Sequence, residues 1–145
     1  MHLNDINCMY CTKNEKLLGM MILVCYVDGH PLYLHRNQAN PGRCILAYKE
    51  HIATIADIPE EAALQYFHAA YKVTRALKAV FNPDQTNLGA FGDLTAHVHL
   101  HFAPKFQGGQ DFGKPFQVNP QPPQYLTEEG YQGVISNIKD ALEDK

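Results

Sequence analysis

Between Thr95 and Phe106 the chain reads TAHVHLHFAPKF, with histidine alternating with apolar residues at His97, His99 and His101. Successive side chains of a β-strand point to opposite faces, so this segment fits a strand with three imidazoles on one face and Val98, Leu100 and Phe102 on the other. The apolar face belongs against a core. The histidine face needs a metal, a reaction or solvent. Alternate strand residues lie about 6.6 Å apart and the outer pair about 13 Å, whereas metal–nitrogen bonds are only about 2 Å long. Two neighbouring histidines can share a metal, but a tri-histidine centre from this strand alone is disfavoured. Chemistry gives the other rings a use. A neutral imidazole is a nucleophile at neutral pH, and a second one nearby can donate or accept a proton, the pair that phosphoryl and nucleotidyl transfer need. The bland alternative is a solvated strand face.

The chain has 145 residues, enough for one domain with a proper core. Its net charge of −3 gives no basic surplus for neutralising a nucleic-acid backbone, so no nucleic-acid partner is expected. The longest apolar run, LLGMMILVCYV at 17–27, is too short to span a bilayer, and the residues before it do not resemble a signal peptide. A cytoplasmic protein without a membrane partner is expected. Cys8 and Cys11 form a Cys-x-x-Cys pair near the N-terminus, open to reading as a redox pair, half a metal site or incidental thiols. Cys25 and Cys44 sit in apolar runs and read as buried hydrophobes.

Along the chain, 17–27 reads as a buried strand ending at the turn Asp28-Gly29. HPLYLHR at 30–36 alternates, Asn37 to Gly42 forms a loop, and RCILAYKEH at 43–51 is the next strand. After Pro59, the residues Ala63, Phe67, Ala70, Thr74, Leu77 and Phe81 recur at helical spacing, and Pro83 stops the helix. Two short segments follow, QTNLGAFGD and the histidine strand. The proline-rich VNPQPPQY then leads to a last amphipathic helix with Thr127 as its N-cap. The order β-β-β-α-β-β-α predicts an α+β domain, an antiparallel sheet with flanking helices.

HVHLHFA satisfies the signature His-φ-His-φ-His-φ-φ, φ being apolar, and so resembles the histidine triad (HIT) nucleotide hydrolases and transferases. LYLHRNQANPGRCILAYKEHIATIADI, NLGAFGDLTAHVHLHFAPKF and DFGKPF look like further parts of that family, extending the resemblance over roughly residues 8 to 117. It implies a HIT-like five-stranded antiparallel sheet and a homodimer. Residues 1–118 would be the HIT domain, and 119–145 a connector and helix packed on it or on the dimer partner.

The implied activity is attack on the α-phosphate of a purine nucleotide derivative, with a phosphoramidate, acyl or polyphosphate leaving group. By resemblance His99 is the nucleophile that forms a nucleotidyl-histidine, and His101 assists the leaving group. His35, Asn37, Asn87, Gly92 and Asp93 are the implied substrate contacts, with Gly92 offering backbone N–H groups. Three positions depart from the family habit. His35 stands where Asp or Asn is usual, Asp93 where Asn or Gln is common, and Leu94 where some members place Ser. These departures motivate an alternative, a nucleotide-binding or interaction module with little catalysis. The resemblance also implies a structural zinc on Cys8, Cys11, His51 and His97, a closed tetrahedral set, and no organic cofactor. Arg43 is a candidate phosphate contact beside the plainer reading of a surface arginine, and Lys105 is a weaker one. His2, His30 and His68 are read as having no task.

Overall fold

A computed structural model describes residues 6–143, and His2 lies outside them. Five strands form one antiparallel sheet in the order β1-β2-β3-β5-β4, with β1 Met21–Val27, β2 His30–His35, β3 Cys44–Ala47, β4 Gln85–Gly89 and β5 His99–Lys105. The expected α+β class and five-stranded sheet are both present. Asp28 and Gly29 turn β1 into β2 with φ of 51° and 88°, the left-handed conformation that a tight hairpin demands. Gly42 closes the next loop at φ 91°, where a Cβ would stand 2.7 Å from Phe81. The histidine strand therefore runs through the interior of the sheet, hydrogen-bonded to β3 on one side and β4 on the other.

Two helices flank the sheet's N-terminal approach, α1 Met9–Thr12 and α2 Glu15–Met20, and two longer ones follow, α3 Glu60–Phe81 and α4 Glu128–Glu143. Leu32, Leu34, Leu46, Leu100 and Phe102 face Tyr66, Ala70, Val73 and Leu77 of α3 and Tyr131, Ile135 and Ile138 of α4. Each such buried apolar side chain contributes on the order of 2 kcal/mol. On the opposite face, Met21, Tyr33, Ile45 and Ala47 lie under Met9, Tyr10 and Leu17. Register puts His101 opposite Ile45 and His99 opposite Ala47, so the imidazoles share that second face.

Three expectations change. The run 17–27 is not one strand: Asn14 caps α2 by accepting from the Leu17 N–H at 3.2 Å, and the strand begins only at Met21. The buried stripe of α3 is Tyr66, Ala69, Ala70, Val73, Ala76 and Leu77, which leaves Phe67 exposed. Alanines carry little hydrophobic signal yet let the helix approach the sheet closely. The third concerns His30, whose ring is buried between Tyr48 and Tyr66, both at 4.9 Å between ring centroids, and whose Nδ1 accepts the Lys49 N–H at 3.0 Å. His68 is exposed as expected. Gly130 N–H donates to Thr127 Oγ1 at 3.0 Å, giving α4 the expected cap.

Burial, followed by the charge of Lys49, pushes His30 down to about 4. The unfolded chain takes up a proton near the ordinary value of 6.5, whereas the folded ring refuses it until about 4. Stability is therefore complete above pH 6.5 and falls between there and pH 4, by about 3 kcal/mol at most from this group. His30→Asn retains an acceptor for the Lys49 amide without the titration. Its urea midpoint is expected to fall less steeply than that of the wild type from about pH 7 to pH 4.5.

Candidate active site

Backbone hydrogen bonds orient the first two histidines differently. His97 donates from Nε2 to the Tyr48 carbonyl at 2.8 Å, which turns its Nδ1 lone pair toward the N-terminal segment. There Nδ1 lies 3.4 Å from Cys8 Sγ, 3.6 Å from Cys11 Sγ and 3.3 Å from His51 Nδ1, while Cys11 Sγ lies 3.4 Å from His51 Nδ1. The four ligand atoms all fall within 4.8 Å of one another. A tetrahedral ion with bonds of about 2.0 to 2.3 Å separates its ligands by about 3.3 to 3.8 Å, the range of the four distances of 3.3 to 3.6 Å just given. The donor set could hold a metal ion.

His99 is turned the other way. Its Nδ1–H donates to the His97 carbonyl at 2.6 Å, leaving Nε2 with a free lone pair. Burial lowers its pKa, so the ring is neutral at pH 7. The His99 and His101 rings lie 5.2 Å apart, and both line a cavity of about 520 Å³. Burial, and then the Arg43 guanidinium, push His101 down to about 3. His35 lines the same cavity. Its Nδ1 accepts the Asn37 N–H at 3.2 Å, so Nε2 carries the ring proton, and burial holds the ring down to about 4. Met20, Met21 and Ile45 add apolar lining, Ile45 directly across the sheet from His101 and Met21 from His35, and Asp93, Leu94 and Thr95 line the same cavity. Leu94 is fully exposed.

The arrangement is a neutral nucleophilic nitrogen beside a second imidazole, in a cavity of ligand size. A family model of the HIT domain matches residues 22–108. The chain belongs to the HIT family. It is similar to "Protein hit" of Bacillus subtilis, 31% identical over 144 residues that cover 94% of each chain. Among solved structures it resembles a histidine triad protein from Bradyrhizobium japonicum, with a TM-score of 0.80, 21% identity and coverage of 89% of this chain and 96% of that one. A Zn-bound histidine triad family protein from Mycobacterium smegmatis shares the fold at TM-score 0.63 and 16% identity, covering 95% and 94% of the two chains.

Within this HIT site the expected contacts do not all converge. His35, Asp93, His99 and His101 line the main cavity. Gly92 lines a smaller neighbouring cavity of about 200 Å³ with His97 and His99. Asn87 lies away from both, in an open cavity with Lys105. Asn37 is buried and clamps the C-terminal connector: its Nδ2 donates to the Pro120 carbonyl at 3.1 Å, and its Oδ1 accepts the Gln124 N–H at 3.0 Å. Lys105 Nζ is spent on the carbonyls of Asp111 and Lys114. Arg43 is not a surface arginine, for it is completely buried beside His101. Cys44 is fully buried as expected, whereas Cys25 is only partly so, and both are free thiols.

Sequence reasoning missed Tyr10, whose ring sits 5.3 Å from His97 and 5.0 Å from His99 and walls the cavity. Its place inside Cys8-x-x-Cys11 is the signal: ligands that bring the pair to His97 must bring Tyr10 too. Val118 and Asn119 of the connector complete the wall, and no local pattern marks them.

Proposed function

We propose that this HIT-family chain is a nucleotidyl hydrolase or transferase acting at the α-phosphate of a nucleoside phosphate derivative. The observation that carries the reading is the His99 imidazole, neutral and held through Nδ1–H at 2.6 Å so that the Nε2 lone pair is unspent. In the reaction that lone pair forms a nitrogen–phosphorus bond while the bond from phosphorus to the leaving group breaks, the electron pair departing with the group. Positive charge left on the ring is stabilised by the His97 carbonyl that accepts its Nδ1–H. Water then attacks phosphorus, the nitrogen–phosphorus bond breaks, and the nucleoside monophosphate is released with neutral His99. His101 contacts the phosphate or the departing atom. Backbone N–H groups around Gly92 supply further donors from the adjoining cavity.

The apolar lining from Met9, Tyr10, Met20 and Met21 suits a purine nucleoside, with His35 Nε2–H as the donor offered to its sugar. The Cys8, Cys11, His51 and His97 set is assigned to zinc. These four residues would fill a tetrahedral shell, so the zinc they hold would serve structure and offer no open position to substrate. The Zn-bound relative from Mycobacterium smegmatis supports that choice. A second copy is placed against the outer side of α3, where Leu64, Phe67 and Tyr71 are exposed at helical spacing. Among the described residues no helix is long and apolar enough to cross a membrane.

Asp93 favours a second reading, because an exposed carboxylate edges the cavity where a phosphate would sit. It is the binding module with little catalysis. A panel of adenosine and guanosine phosphoramidates, acyl phosphates and dinucleoside polyphosphates separates the two. Release of nucleoside monophosphate from at least one member is expected. Binding of the panel without release from any member would replace the enzyme with the module.

A further inference from the structure

Arg43 is completely buried, and its guanidinium makes every hydrogen bond as a donor. Nη2 lies 3.0 Å from His101 Nδ1, and Nη1 donates to the carbonyls of Val118 at 2.7 Å and Gln117 at 3.3 Å. The guanidinium carbon stands 5.1 Å above the Phe116 ring, and that ring is 6.0 Å from His101. Nε is buried without a partner, and among the described residues no carboxylate pairs with this cation. A buried charge with no counter-ion is costly, and a fold keeps one where it acts on a bound anion or on the group that meets it.

We propose that Arg43 is a positioning residue that fixes His101 with its proton on Nε2, toward the cavity, and polarises that N–H toward the leaving group. This rests on the nucleotidyl-transfer reading above. The chemistry is forced by the donor inventory. A guanidinium has no acceptor, so His101 Nδ1 must be unprotonated where the two meet, and the ring's single proton is on Nε2. No proton leaves Arg43. Its positive charge draws electron density through the imidazole, so Nε2–H donates more strongly to the atom that receives the electron pair as its bond to phosphorus breaks. The same side chain holds the connector, whose Val118 and Asn119 wall the cavity. One residue thus sets both the donor and the wall it faces.

Two measurements test the proposal. Ring nitrogen-15 spectra of histidine-labelled wild type at neutral pH, assigned with His101→Gln, are expected to show His101 protonated on Nε2 alone. A proton on Nδ1 would overturn the proposal whatever the activity. The second is a series of nucleoside 5′-phosphate derivatives whose leaving groups range from weakly to strongly basic. Arg43→Gln is expected to lower kcat about 10- to 100-fold for the most basic leaving group and only about threefold for the least basic, with smaller changes in KM. Arg43→Lys keeps the charge but cannot reach both His101 and the Val118 carbonyl, so it is expected to fall between. Equal losses across the series would reduce Arg43 to a structural brace, and no loss would also overturn the proposal. If Arg43→Gln does not fold, Arg43→Lys carries the series and is expected to show the same leaving-group dependence in weaker form. If wild type turns over no member, the nucleotidyl-transfer reading fails, and the nitrogen-15 spectrum still decides how Arg43 holds His101.

Discussion

His99→Ala is expected to abolish release of nucleoside monophosphate from whichever phosphoramidate, acyl or polyphosphate derivative the wild type cleaves. The loss is expected to reach at least about 10⁴-fold in kcat, because the variant removes the atom that forms the covalent bond rather than one that assists it. Folding is not expected to suffer in proportion. His99 makes one side-chain hydrogen bond, to the His97 carbonyl, and its ring faces a cavity rather than the core between sheet and helices. Nucleotide affinity, measured by calorimetry with the product monophosphate, is expected to change less than tenfold. A variant that retains turnover would remove His99 from the reaction. One that loses turnover together with its cooperative melting transition would say nothing about chemistry, so the melting curve belongs to the experiment.

Metal removal carries the second large effect. Cys8 and Cys11 belong to the N-terminal segment, whereas His51 and His97 flank the central strands, so a bound ion joins the N-terminal layer to the sheet. That layer is small. It packs Met9, Tyr10 and Leu17 on Met21, Tyr33, Ile45 and Ala47, and α1 is a single turn. Without the ion, little apolar area holds it in place. The purified protein is expected to contain one zinc per chain. Chelation, or Cys8→Ser, is expected to lower the melting temperature on the order of 10 °C. Nucleotide binding is expected to weaken as well, because Met9 and Tyr10 of that layer wall the cavity. Elemental analysis finding no zinc, together with an unchanged melting temperature in Cys8→Ser, would contradict the assignment.

Much of the fold was legible because its signals are local. Histidine alternation marks β5, Asp28-Gly29 marks the hairpin, and the stretch from Pro59 to Pro83 encloses α3. The start of β1 was obscured by an apolar run that continues through α2 into the strand, so only Asn14 signalled the change, as a cap. In the site, the spacing rule says only that three histidines two apart cannot all reach one ion. That His97 is the one set apart comes from the resemblance, and the structure places His97 just before β5, beside Cys8, Cys11 and His51. Arg43 was not legible. Its neighbourhood depends on β3 pairing with β5, which brings Ile45 opposite His101, and on a connector more than 70 residues away in sequence folding back over the guanidinium. Asn37 misled for the same reason. A polar residue in a loop beside the cavity reads as a ligand contact until the connector that it holds is seen. His30 gave no local sign of burial, because the aromatic rings around it come from β3's end and from α3.

The most direct test of the central claim is to mix wild type with a cleavable nucleotide derivative, quench it within a turnover, and map the digested protein by mass spectrometry under conditions that preserve nitrogen–phosphorus bonds. The expected result is one nucleoside monophosphoryl group on the peptide that carries His97, His99 and His101, with fragmentation placing it on His99 and His99→Ala lacking it. Rapid turnover with no adduct on any histidine, or an adduct on His97 or His101 instead, would contradict the account.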